Sequence, residues 1–148
     1  MVRLPHIWQP TSRIDVSAAL GHWFNTELGR ELQAAEERLL GHILPDLFGY
    51  HALQLGQIIP SHLLHASRIR HRIVADKQLL VVEGLSPLQT LPEQLPLAAN
   101  SMDVVVIQHL LDVTVNPHAV LREAARVLIP EGHLVIIGFN PWSLWGLW

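Results

Sequence analysis

Gly56 closes the apolar run Ala52-Leu53-Gln54-Leu55, and Asp76 follows it by 20 residues. A strand that runs into a glycine turn lets a ligand reach the backbone, and an acid about twenty residues later can accept hydrogen bonds from ribose hydroxyls. The pair suits a nucleotide-like ligand held at the end of a strand. Asp76 also has an ordinary reading as a solvated loop acid. Glu83, after Leu79-Leu80-Val81-Val82, takes its role if the second strand is that later run. Gln108 and His109 end the β-branched run 102–108 and would border the same cleft. His109 is the side chain there able to move a proton near neutral pH; the alternative is that it only lines or braces the pocket. Asp103, at the start of the same run, suits capping or orienting backbone, and no chemistry is assigned to it.

Other chemistries fare worse. Ten histidines raise the question of a metal. His62 and His65 are three apart and His71 follows, but no carboxylate or further histidine falls at matching spacing on an obvious second element, so no metal is expected. Cysteine is absent, which excludes disulfides, thiolate ligands and a cysteine nucleophile. A net charge of −3 without any block of like charges argues against a nucleic-acid partner. Trp142, Trp145 and Trp148 recur every three residues, which reads as a helical packing face, with a membrane-surface or partner anchor as the other reading. The start MVRLPHIWQP lacks the apolar stretch of a signal peptide. No run reaches the roughly 18–20 apolar residues that span a bilayer. A cytoplasmic protein without stable membrane insertion is expected.

The elements that must position these residues follow from periodicity. With 148 residues, the chain is long enough for one domain with a sizeable core. Residues 26–43 form the clearest helix, with Leu28, Leu32, Ala35, Leu39 and Ile43 on one face, Thr26 as cap and Pro45 as stop. A shorter helix is expected over 13–24. A first strand spans about Tyr50 to Leu55, a short helix Ser61 to Ser67, and a second strand His71 to Ala75. LLVVEG (79–84) reads as a strand, and the proline-rich stretch after it as a strand end and loop. MDVVVIQ (102–108) is the kind of run buried on both faces of a parallel sheet. Residues 117–128 form a helix capped by Asn116, with Val120, Leu121, Ala124, Val127 and Leu128 facing the core. Pro130-Glu131-Gly132 breaks it, and HLVIIGF (133–139) reads as a fully buried strand. Strand–helix–strand spacing of this kind implies a parallel crossover and an α/β fold, an open, mostly parallel sheet with helices on both faces. Residues 1–49 are expected to form a helical segment packing on the sheet, and 50–148 the α/β core.

The segment from Leu95-Pro96-Leu97 through Asp103, Val104–Ile107, His109-Leu110, Leu121 to Leu128, Pro130-Glu131-Gly132 and Leu134–Ile137 resembles the class I S-adenosylmethionine-dependent methyltransferases, in the branch called type 11. The amino-terminal stretch and the tail FNPWSLWGLW resemble a bacterial subgroup within it. The resemblance implies a Rossmann-like fold, S-adenosylmethionine as cofactor, and Gly56, Asp76, Gln108 and His109 around it. It also marks departures. The family's acid at the end of the first strand falls on Gln54, its later glycines on Ile58 and Pro60, and its acid after the third strand on Leu91. Cβ atoms at Ile58 and Pro60 crowd the approach of the cofactor's methionine portion and restrict the turn. Family members usually carry two more strands, so the fifth is expected as an apolar edge that pairs with a second chain, giving a homodimer, or belongs to a truncated product. Two functions are therefore expected: methyl transfer to a small molecule, or an inactive methyltransferase-like binding or scaffolding module. A nicotinamide oxidoreductase lacks its Gly-x-Gly-x-x-Gly loop here.

Overall fold

A computed structural model of the chain describes residues 16–56, 58, 63–78 and 81–140. Val104 to Ile107 have no polar side chain and no alternation, and the strand they form is buried on both faces. That strand, β4 (Met102–Gln108), lies between β1 (His51–Leu55) and β5 (Leu128–Ile137). With β2 (His71–Asp76) and β3 (Ser86–Gln89) they make a sheet of five parallel strands in the order β3-β2-β1-β4-β5. The order reverses between β1 and β4, so the connections leaving these two strands diverge and a crevice opens at their carboxyl ends.

Parallel neighbours need a crossover over a face of the sheet. β4 reaches β5 through α3 (Leu110–Val113) and α4 (Pro117–Val127). Asn116 caps α4 by accepting from the Ala119 N–H at 3.1 Å, and Pro117 occupies the first turn, where its missing N–H costs nothing. Val120, Ala124 and Val127 are completely buried against Leu53, Leu55, Val105 and Ile107. Leu121 and Leu128 pack on the same cluster. The opposite face of the sheet, with Ala52, Val74, Val104 and Val106, is covered by Leu40 and Leu44 and by a 3-10 turn at Leu63–Ala66. Leu40 belongs to α2 (Glu27–Ile43), which follows α1 (Val16–Phe24).

Two ties hold the chain around the start of β4. Asp103 accepts from the N–H groups of Tyr50 and His51, both at 2.9 Å, so it holds the start of β1 beside β4 as its position suggested. A Cβ at Gly49 would lie 2.3 Å from this side chain, which is why a glycine stands there. The Leu95-Pro96-Leu97 loop is pinned to α4. Arg126 donates to the carbonyls of Leu95 and Leu97 at 2.9 Å each, while Glu123 accepts the Leu95 N–H at 2.8 Å.

The structure departs from the periodicity reading at three elements. The stripe Leu28, Ala35, Leu39 and Ile43 of α2 faces outward, and the buried face is Gly29, Glu36 and Leu40. The helix is rotated because Glu36 finds partners inside, as shown below. Of 79–84, residues 81–84 lie outside any strand, and β3 forms later, at Ser86–Gln89. Pro87 is tolerated there because β3 is an edge strand with no second ladder to serve. β5 starts at Leu128, directly after α4, and runs through Pro130-Glu131-Gly132 by a register shift between Met102 and Val104. It is not fully buried either: Leu134 and Ile136 are 38% and 48% exposed, because no strand covers this edge among the described residues. The 13–24 helix begins at Val16 among the described residues. Pro60, His62, Trp142, Trp145 and Trp148 lie outside them.

Candidate active site

At the reversal point the backbone turns through Gly56, with φ at +78°. Its N–H donates to the Ala75 carbonyl at 2.9 Å, which carries the β1–β2 pairing one residue past the strand. A left-handed turn favours glycine. The space a Cβ would take is filled as well: it would lie 3.2 Å from Leu110, the first residue of α3. The turn and this packing account for the glycine from within the protein.

Gln54 lies two residues earlier, and its side chain is wholly buried. Nε2 donates to the Gly56 carbonyl at 3.2 Å, tightening the turn. Oε1 has no hydrogen-bond partner among the described residues. A buried unsatisfied acceptor is costly, about 1–3 kcal/mol. On the neighbouring strand, Asp76 ends β2, partly buried, and its Oδ1 accepts from the Gln78 N–H at 2.9 Å. Gly56, Gln54 and Asp76 thus share one corner of the sheet's carboxyl edge. Glu83 sits in an exposed turn before β3, at the opposite end of the strands. Leu91, two residues past β3, is about half exposed and forms a small bridge with Gln94.

Gln108 and His109 end β4, as the spacing implies, and their side chains are drawn into a polar array. Gln108 donates to Glu36 Oε2 at 2.8 Å. His109 Nε2 lies 2.9 Å from Glu36 Oε1, and Nδ1 lies 3.0 Å from Asp112 Oδ2. Asp112 also accepts the Phe139 N–H at 3.2 Å. His109 has φ at +53°, a left-handed conformation that histidine adopts more readily than most residues. Its N–H reaches the Ile137 carbonyl at 2.8 Å. The ring is flanked by Phe24 and Phe139, with centroids at 5.0 and 4.5 Å.

Burial by itself would lower the His109 pKa. The hydrogen bonds and negative charges of Glu36 and Asp112 outweigh it, and the pKa stands above its ordinary value. Both ring nitrogens are committed to carboxylates, so His109 braces the cleft and is not poised to take a proton from a substrate.

Sequence reasoning missed Glu36 and Asp112. Asp112 was readable as an i, i+3 partner of His109. Glu36 was not, because it stands among the charges of a helix whose inward face the leucines disguise. No group of three histidine, cysteine, aspartate or glutamate side chains among the described residues is placed to hold a metal. His51 and His71 meet at the far end of β1 and β2, Nδ1 to Nδ1 at 2.7 Å. No helix among the described residues is long and apolar enough to cross a membrane.

Known proteins share this architecture. The chain is 36% identical over 125 residues to the uncharacterized protein YafS of Escherichia coli K12, a match that takes in 84% of the chain and 50% of that protein. It therefore spans about half the length of this curated relative. Among solved structures, a protein described as an S-adenosyl-L-methionine-dependent methyltransferase from Methanococcus maripaludis superposes with a TM-score of 0.61 at 14% identity, covering 89% of the chain and 67% of that protein. The YcgJ protein of Bacillus subtilis gives 0.61 at 20% identity, over 70% of the chain and 50% of that protein. At these identities the likeness shows a shared Rossmann-like fold. Residues 58–136, just over half of the chain, match the family described as a methyltransferase domain. With β4, α4 and β5 in that span and the crevice at the ends of β1 and β4, the chain belongs to the class I methyltransferases of the type 11 branch.

Proposed function

We propose that the chain binds S-adenosylmethionine at the Gly56 corner and directs its methyl group to a small molecule. The observation that carries this is Gln54 Oε1, a wholly buried acceptor without a protein partner among the described residues, beside a left-handed glycine turn at the reversal point. Two side chains there, Gln54 and Asp76, suit the cofactor. Gln54 Oε1 is an acceptor for the ammonium of the methionine portion. The Asp76 carboxylate, at the end of β2, accepts from ribose hydroxyls. A carboxamide in place of the family's carboxylate keeps the acceptor and gives up the charge, which weakens a bond to an ammonium.

When bound, S-adenosylmethionine supplies a sulfonium-activated methyl group. The chain's own contribution is positioning, which can provide most of the acceleration when a reactive group is already activated. His109 holds its protons between Glu36 and Asp112, so the reading assigns no general base. It favours an acceptor whose lone pair is available without help. The absence of any long basic run supports a small-molecule acceptor over a nucleic acid.

Calorimetry with S-adenosylhomocysteine tests the reading. One-to-one binding is expected, and Asp76→Asn should weaken it about tenfold, or ~1.4 kcal/mol. No heat at about 1 mM ligand, where a complex of roughly −4 kcal/mol would register, overturns it. The inactive binding module would then stand in its place.

A further inference from the structure

Three elements converge on the imidazole that ends β4. Glu36 arrives from α2, Asp112 from α3, and the Phe24 ring from the end of α1. A carboxylate can only accept hydrogen bonds, and a neutral imidazole has one N–H to give. Contacts of 2.9 and 3.0 Å at both nitrogens are both satisfied by the imidazolium and by no neutral tautomer. His109 is 1% exposed, so losing the proton would set a lone pair against a carboxylate oxygen with little water to intervene.

The helices held by this contact are joined to each other. A Cβ on Gly29 of α2 would lie 2.4 Å from the Trp23 carbonyl of α1, a backbone-to-backbone approach that makes the two helices one unit. That unit touches the loop leaving Gly56: a Cβ on Gly21 of α1 would lie 3.4 Å from the Ile58 carbonyl. Anything that shifts α1 and α2 therefore shifts the cover of the loop after β1.

We propose that Glu36, His109 and Asp112 form a proton-held clasp that fixes the α1–α2 pair against the carboxyl end of the sheet, so that release of the His109 proton loosens the pair and opens the crevice beside Gly56. The clasp itself is a statement about this chain's own residues; its effect on cofactor access rests on the proposed function. The groups that set its proton are Glu36 from α2 and Asp112 from α3, with Phe24 and Phe139 supplying uncharged ring faces.

Hydrogen exchange of the full chain, corrected for the intrinsic pH dependence of amide exchange, reads the clasp. Protection over 16–43 should fall severalfold as the pH rises from 6.5 through the raised His109 value, while protection over 102–108 holds. His109→Asn, which tolerates the left-handed backbone, and Glu36→Gln should both remove the pH dependence. Wild-type protection flat with pH, or a dependence that survives in His109→Asn, overturns the proposal. Should the variants fail to fold, the ring-nitrogen resonances of His109 in the wild type decide: both nitrogens protonated at neutral pH supports the clasp, and a neutral tautomer there overturns it. S-adenosylhomocysteine should associate severalfold faster above the same midpoint in the wild type only. Binding with no such step overturns the link to access. No binding at any pH defeats the proposed function instead, and the exchange result still judges the clasp.

Discussion

His109, held between Glu36 and Asp112, is expected to make the stability of this protein depend on pH. Its pKa in the folded chain is raised above 6.5, so its stabilising contribution is fully present below that value and is lost as the pH rises through the folded one. Urea midpoints measured across this window should fall for the wild type, and the gap between wild type and His109→Asn should close as they do. A gap that stays constant with pH would mean that the ring contributes by packing alone. Which residues close the strands was largely legible in the sequence, because the apolar runs that form the strands end visibly. Gly56, Asp76, Gln108 and His109 all stand at the carboxyl edge. What their side chains do there was not legible. Glu36 meets His109 across 73 residues of sequence, and no local pattern announces that contact, whereas Asp112 stands only three residues away.

Helix α2 shows the same limit one level up. Its leucines repeat at helical spacing, yet the face that packs on the sheet is offset by one residue, through Gly29, Glu36 and Leu40. Periodicity finds a stripe and cannot say whether a neighbouring stripe with one satisfied carboxylate packs better. Adjacent leucines check the assignment. Leu39→Ala should change stability by no more than about 0.5 kcal/mol, while Leu40→Ala should cost about 2–5 kcal/mol. Equal losses in urea denaturation would return the stripe to the core. β4 and the start of α4 were legible because nothing competes there: β4 is buried on both faces, and Asn116-Pro117 starts a helix by local chemistry alone. β3 was placed too early, at 79–84, because Ser86–Gln89 has no strand-like composition and pairs only because β2 lies alongside it.

Among the described residues, large exposed apolar side chains are spread over several elements and loops, and two of them, Leu134 and Ile136, lie on β5. Leu134 and Ile136 project from an edge strand whose outer backbone groups are unpaired among the described residues, a surface that favours strand addition. The 148-residue chain is therefore expected to self-associate, with light scattering giving a mass above 16.6 kDa, and Ile136→Lys should shift it toward the monomer. A wild-type monomer would show that the edge stands in water unaided. The all-parallel layout was legible from the strand–helix–strand spacing at 102–137. The edge position of β5 was expected too, from the two further strands the resemblance implies, while the exposure of Leu134 and Ile136 was not, since their apolar run reads as buried on both faces.

The reversal of strand order between β1 and β4 also has a kinetic consequence. β1 can pair with β2 once the chain has reached Asp76, but Ala52 must wait for Val104 before its other side is closed. Long-range parallel pairing of this kind is slow, because the intervening chain must be gathered first. On a ribosome, Gln54 would remain beside an open seam until β4 had been synthesised. The β4-facing side of the corner that would later hold a ligand is thus closed only after its β2-facing side.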